Sequence, residues 1–200
     1  MLELIRKAES LCIDADDTTA GFFAAFLDYN NARYGTSFNI GDFGTHRFHL
    51  VLGCTEEEAK RRVDEFQHSS YFKKILPLEG AVEAINRLFI LGKKLYVATA
   101  RADYTRANTE RFYETYFRGM IQDIFFSSNN HTGRANSGKS KLEISRDLRA
   151  PLIDDDLEYV IPCAKAGFGG ILFGDYRWQI DSEIPSNVPR AKNWKEVLKS

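Results

Sequence analysis

Two hundred residues with 44% apolar side chains suit one packed domain with an elaboration, or a core plus a small cap. Lys and Arg total 27 against 28 Asp and Glu, and the net charge of −1 lacks the basic field of a nucleic-acid or membrane-surface binder. Cys12, Cys54 and Cys163 are odd in number, far apart and free of any CxxC, which disfavours a disulfide framework or zinc knuckle and points to a reducing, cytoplasmic setting.

Met1 to Ser10 carries charges and no apolar signal core, and no stretch approaches the length of a membrane span. The sequon Asn130-His131-Thr132 carries no weight in a cytosolic chain.

The first element is a strand. Leu11, Cys12 and Ile13 are apolar, and the run ends at Asp14, with Asp16 two positions on. In open parallel α/β sheets, chemistry collects just past the carboxyl ends of the strands. Two acids there repel, and burying them unpaired is costly. A divalent cation with hard oxygen ligands answers both problems. The plainer reading is a polar turn with a helix N-cap, and the downstream sequence decides between the two.

A turn at Thr18 to Gly21 leads into Phe22, Phe23 and Phe26, which fall near helical spacing up to Tyr34, with Gly35 as the stop. Ser37 to Cys54 reads as irregular. Thr55-Glu56-Glu57-Glu58 is a capping box for a helix to about His68. Ala81, Ala84, Ile85, Leu88 and Phe89 mark an amphipathic helix stopped by Gly92. Leu95 to Ala98 is a buried strand ending in Thr99-Ala100-Arg101. The charged stretch from about Tyr104 to Phe117 reads as a helix with a solvated face.

Ile124 to Phe126 is a third strand, followed by a polar loop to Ser140. Ser140-Lys141-Leu142-Glu143 is a second capping box. Leu152-Ile153 is a strand ending in Asp154-Asp155-Asp156. The next helix runs to Gly167, and Pro162 must kink it or sit in an early turn. Ile171 to Phe173 is a fifth strand, and Trp194 to Leu198 a short last helix. Strands and helices alternate, which argues for a parallel sheet covered on both faces, a Rossmann-like three-layer α/β/α fold. One long non-strand insertion, 21–77, leaves directly after the acidic turn and should hang over the strand ends as a helical cap. Residues 1–20 and 78–200 form the core.

Four elements thus fall at strand ends or helix starts: Asp14 with Asp16, Thr99, a lysine at 141 or 139, and Asp154 with Asp155. This ordered set resembles the motifs of the haloacid dehalogenase superfamily of phosphotransferases. Ile153-Asp154-Asp155-Asp156-Leu157, continuing to Ala166-Gly167, is similar to the last of them. The resemblance implies a phosphatase. It casts Asp14 as the nucleophile that forms an aspartyl-phosphate, and Asp16 as the group that protonates the leaving oxygen and later activates water. On the same resemblance, Mg²⁺ would be held by Asp14, the Asp16 carbonyl and Asp154, with Asp155 in support. Thr18, Thr99, Ala100 and Arg101 would lie around the substrate phosphoryl group, and a lysine would offset its charge. Lys141 ranks ahead of Lys139, because it opens a helix, where the dipole also favours an anion.

Gly133 to Ser140 also matches the P-loop pattern GxxxxGK[ST]. The context is poor: six residues separate Phe126 from Gly133, only 60 follow Ser140, and Asp14, Asp16 and Thr99 stay unexplained. His46 and His49 lie three apart without an accompanying acid or thiol, so they read as cap surface or pocket wall rather than a metal site. Cys12 reads as a small strand residue.

Residues 22–72 hold eight Phe and three Tyr. Most must be core, but Phe22, Phe43, His46 and Phe48 are placed to line a pocket where a planar base could stack. The Asp14 turn, Asn31 to Thr36, Pro77 to Ala81, Thr99-Ala100-Arg101 and Phe173 to Trp178 are similar to the branch of 5′(3′)-deoxyribonucleotidases. That resemblance implies a nucleoside 5′-monophosphate substrate, and the chain is expected to be a monomer or homodimer. The alternatives are a sugar phosphate or other small metabolite, a P-loop nucleotide binder, or a non-catalytic binding domain of the same fold.

Overall fold

A computed structural model of the chain describes residues 2–45, 47–128, 138–180 and 183–199. Helix α1 (Glu3–Lys7) precedes strand β1 (Ser10–Ile13). The insertion then contributes α2 (Phe22–Tyr34), α3 (Phe48–Leu52) and α4 (Glu56–His68). After it come α5 (Ala81–Ile90), β2 (Lys94–Thr99), α6 (Arg106–Tyr116) and β3 (Ile121–Phe126). The chain ends with α7 (Lys141–Leu148), β4 (Leu152–Asp154), α8 (Leu157–Lys165), β5 (Gly170–Phe173), β6 (Arg190–Ala191) and α9 (Trp194–Leu198).

The six strands form one parallel sheet in the order β3-β2-β1-β4-β5-β6. In its centre, Ile13 pairs with Val97 on one side and Ile153 on the other. The short apolar runs explain this burial on both faces. Leu11 and Ile13 point into the layer that holds Ile85, Leu88, Phe117 and Trp194. Cys12, between them, points into the layer of Ile144, Val160 and Cys163. The sheet is therefore covered on both sides, as the alternation of elements requires.

Local signals set most boundaries. Gly35 ends α2 at φ 66°, a left-handed conformation that favours glycine. Thr55 accepts a hydrogen bond from the Glu58 N–H at 3.2 Å and starts α4. Ser140 and Glu143 form the reciprocal capping box of α7. At Gly170 a Cβ would run into the Val160 carbonyl, so only glycine lets α8 lie this close to β5.

Several elements differ from the sequence reading. Of the two places read for Pro162, the structure excludes the first turn: it lies inside α8. β3 begins at Ile121 because an edge strand tolerates the polar Gln122 and Asp123. β6 is a two-residue edge strand, and α3 interrupts the stretch read as irregular. Helix α6 is not simply a solvated face: Thr109, Phe112 and Tyr113 are buried beneath its charged surface.

The insertion leaves and returns side by side. The Gly21 N–H donates to the Leu76 carbonyl at 3.0 Å, and the Leu78 N–H to the Thr19 carbonyl at 2.9 Å. Its aromatic residues pack on one another and join the core cluster of the sheet. The insertion therefore begins and ends beside the turn that follows β1.

Candidate active site

The turn after β1 is held from below. The Asp14 N–H donates to the Ile153 carbonyl at 2.9 Å, which extends the β1–β4 ladder to the acidic residue. The Thr19 hydroxyl lies 3.1 Å from the Asp14 and Ala15 carbonyls and shares a 2.7 Å hydrogen bond with the Tyr113 hydroxyl of α6. Asp17 takes φ 54°, rare for a residue with a side chain. Its carboxylate accepts the Phe23 N–H at 3.1 Å and so ties the first turn of α2 to the loop.

Asp14 is only 4% exposed and faces Lys141, which is 3% exposed. The Lys141 ammonium donates to Asp14 Oδ1 at 2.6 Å and to Asp154 Oδ2 at 2.7 Å. It also lies 4.2 Å from the centre of the Tyr159 ring. Burial alone disfavours the ammonium, but Asp14 and Asp154 override this and hold its pKa above the ordinary lysine value. Lys139, by contrast, is exposed and pairs with Asp147.

The carboxylates of Asp14, Asp154 and Asp155 converge, with one oxygen of each within 4.8 Å of the others. Burial raises all three, Asp154 to about 7. Asp155 is anchored through its carbonyl, which accepts from the Gln179 side chain at 2.7 Å. Asp156 does a different job: its carboxylate accepts the Glu158 N–H at 2.8 Å and caps α8. Three buried carboxylates against one lysine leave an excess of negative charge. That donor set fits a hard divalent cation such as Mg²⁺.

The Asp16 carboxylate stands apart from this group. It is gripped by Arg101, whose Nη2 donates at 2.6 Å and whose Nε donates at 2.9 Å to the same oxygen. Only the Asp16 carbonyl remains for the metal role implied by the resemblance. Thr99, at the end of β2, is buried; its hydroxyl accepts the Arg101 N–H at 3.2 Å. Ala100 is half-buried in the same turn. Thr18 is fully buried; its carbonyl accepts from the Trp194 indole at 2.8 Å, and its hydroxyl has no hydrogen-bond partner.

The structure does not spread the proposed stacking residues around an open pocket. Phe43 is fully enclosed against Phe23, with ring centres 4.7 Å apart. Phe22 packs edge-on to Phe66 at 5.2 Å, and the half-buried Phe48 stacks on Phe26 at 5.5 Å. These rings build the insertion because a small helical unit needs aromatic mass for a core. His46 lies outside the described residues, as do Gly133 to Ser137 of the P-loop pattern. Cys12 is buried, and burial pushes its thiol far above the ordinary value, so it is inert.

Sequence reasoning missed Thr19, Asp17, Thr109, Tyr113 and Tyr159. Thr19 and Asp17 adjoin the acidic motif and could have been suspected. The α6 pair, Thr109 and Tyr113, shows the i, i+4 spacing of one helical face, hidden among charged neighbours.

No protein-family profile and no curated protein matches the chain. Solved structures do. One is a haloacid dehalogenase-like hydrolase from Streptococcus pneumoniae, with a TM-score of 0.63 and 14% identity over 95% of this chain and 96% of the other. Another is Protein Tyrosine Kinase A of Mycobacterium tuberculosis, with a TM-score of 0.68 and 18% identity over 94% and 95% of the two chains. A third is the hydrolase YfnB of Bacillus subtilis, solved with magnesium, with a TM-score of 0.56 and 16% identity over 94% and 96%. At such identities the likeness establishes the fold and leaves the chemistry to the residues. The chain has the α/β fold of the haloacid dehalogenase-like hydrolases.

Proposed function

We propose that the chain is a Mg²⁺-dependent phosphomonoester hydrolase with Asp14 as its nucleophile. The observation that carries this reading is Lys141, held between Asp14 and Asp154 at the ends of neighbouring strands beside Asp155. Phosphoryl transfer needs an in-line nucleophile and positive charge around the equatorial oxygens. Asp14 attacks phosphorus and carries the phosphoryl group as an aspartyl-phosphate. Lys141 offsets the charge that gathers when a phosphate meets three carboxylates. Thr99, at the end of β2, offers its hydroxyl to the phosphoryl oxygens. Asp16 protonates the leaving oxygen, then takes a proton from the water that hydrolyses the intermediate. Asp14, Asp154 and Asp155 would hold Mg²⁺ with the Asp16 carbonyl, and the ion supplies Lewis-acid neutralisation when bound. That YfnB is bound to magnesium supports this assignment. Residues 1–20 and 78–200 serve as the catalytic core and 21–77 as its cap.

For the substrate we favour a nucleoside 5′-monophosphate, on the resemblance to the deoxyribonucleotidase branch. A second reading, a sugar phosphate or other small phosphometabolite, has one observation in its favour. Phe22 and Phe43 are enclosed among the other rings of the insertion, which leaves neither face open for a base to stack on.

Phosphate release tests both readings. A panel of nucleoside 5′- and 3′-monophosphates, sugar phosphates, small phosphorylated acids and ATP is incubated with and without Mg²⁺. Mg²⁺-dependent release that Asp14→Asn abolishes is the expected result. Full activity in Asp14→Asn refutes the reading. Activity on ATP alone, lost in Lys139→Ala, would restore the P-loop alternative.

A further inference from the structure

Arg101 was placed by sequence among the substrate-binding residues, but its donors point elsewhere. Its side chain is 2% exposed, whereas that of Asp16 is 27% exposed. Nε donates to both Asp16 oxygens, at 2.9 and 3.2 Å, and Nη2 to Oδ1 at 2.6 Å. Nη1 donates to the Thr109 hydroxyl of α6 at 3.0 Å. The guanidinium carbon sits 5.0 Å from the centre of the Phe72 ring, in the segment where the insertion returns. Phe72 in turn packs edge-on against Phe66 of α4 at 5.6 Å. The Arg101 N–H, finally, is fixed on the Thr99 hydroxyl.

We propose that Arg101 is the positioning residue for Asp16: it aims the carboxylate and takes no direct part in substrate binding. The proposal rests on the reading of Asp16 as proton donor and acceptor. A partly exposed aspartate on a turn has several rotamers open to it. A planar fork that contacts both oxygens removes that freedom, and a lysine point charge cannot do so. The fork is itself fixed from behind, by α6 through Thr109 and by the insertion through Phe72. The aim of Asp16 is therefore supported both by α6 and by the return segment of the insertion. The same contacts explain why α6 buries a threonine at 109, whose hydroxyl also donates to the Thr105 carbonyl at 3.1 Å. Misplacement of a reacting group by about 1 Å costs on the order of 100-fold in rate, so aiming is worth a large factor without any contact to substrate.

The test compares wild type, Arg101→Lys and Thr109→Val, with p-nitrophenyl phosphate as the probe ester and Mg²⁺ present. Arg101→Lys is expected to lower kcat about 10- to 100-fold while KM changes little, because phosphate binding does not pass through Arg101. Thr109→Val should lower kcat in the same direction by less, again at constant KM. A crystal structure of Arg101→Lys should show the Asp16 carboxylate in a different rotamer. This second readout needs no turnover, so it decides the proposal even if no ester is hydrolysed, and Thr109→Val serves both readouts if Arg101→Lys does not fold. Unchanged kcat, a KM increase at constant kcat, or an unmoved Asp16 overturns the proposal. Activity retained by Asp14→Asn overturns the phosphatase reading instead, and leaves the Asp16 rotamer to judge Arg101.

Discussion

Replacing Lys141 by methionine isolates the central electrostatic claim. The ammonium bridges two carboxylates at 2.6 and 2.7 Å, all three groups being nearly inaccessible to water. Methionine fills a similar volume but leaves those carboxylates without their partner. Breaking a buried ion pair by removing one member costs about 3–5 kcal/mol. For a chain of this size that corresponds to a fall of roughly 6–20 °C in Tm. The loss should depend on pH, and its sign follows from Asp154. Burial raises that carboxyl to about 7, above its unfolded value near 3.8, so the folded state takes up a proton more readily than the unfolded chain. Without the lysine the carboxyl rises further. At pH 7.5 the variant therefore faces the full penalty, whereas at pH 5 protonation relieves most of it. Paired urea or thermal melts of both proteins at the two pH values, without metal, measure the difference directly. A penalty below about 1 kcal/mol at pH 7.5, or an equal penalty at both pH values, would refute the reasoning.

Other outcomes follow from the same geometry. Asp14→Asn should abolish phosphate release while Tm stays equal to or above wild type, because one of three crowded buried carboxylates is neutralised; Lys139→Ala, at an exposed pair, should leave turnover unchanged. Added Mg²⁺ should raise Tm more at pH 7.5 than at pH 5, since ligation requires deprotonated Asp14, Asp154 and Asp155, all of which burial pushes upward. Differential scanning fluorimetry at the two pH values checks this, and an equal shift would exclude these carboxylates as the ligands. Gly170→Ala should destabilise the fold by about 1–3 kcal/mol in chemical melts, since its methyl group meets the Val160 carbonyl.

The sequence exposed the frame and hid the supports. β1 and β4 were readable because a strand buried on both faces must be continuously apolar, which makes the aspartates at their ends conspicuous. Lys141 was readable because Ser140 and Glu143 announce a helix start. What stayed hidden depends on contacts between distant positions. Thr19 meets Tyr113 across 94 positions, and Arg101 meets Asp16 across 85. Neither pairing has a local signature. Arg101 next to a strand-end threonine invites a phosphate-binding role, and only the fold shows the guanidinium turned back to an acid. The aromatic residues misled in the opposite way. Phe43 stood out by its position in the insertion, but a short insertion cannot spare such a ring from its own core. β6 was invisible because two residues on a sheet edge carry no period.

The acidic residues show why composition alone cannot assign chemistry. Six aspartates lie at or just past the ends of β1 and β4. The structure divides them by what neutralises each one. Asp156 caps α8, and Asp17 accepts the Phe23 N–H in the first turn of α2. Asp16 is matched by a single arginine fork. Asp14 and Asp154 share one lysine, with the buried Asp155 carboxylate beside them. Spacing produces this division. In Asp14-Ala15-Asp16-Asp17 and in Asp154-Asp155-Asp156, the residues nearest the strand end point into the crowded centre. Those further along reach the first turn of a following helix, whose free N–H groups require an acceptor. Backbone N–H groups thus engage Asp17 and Asp156, and an arginine engages Asp16. The remaining three carry more negative charge than their lysine can offset, so the unbalanced group is where a cation and a phosphoryl group can be held together.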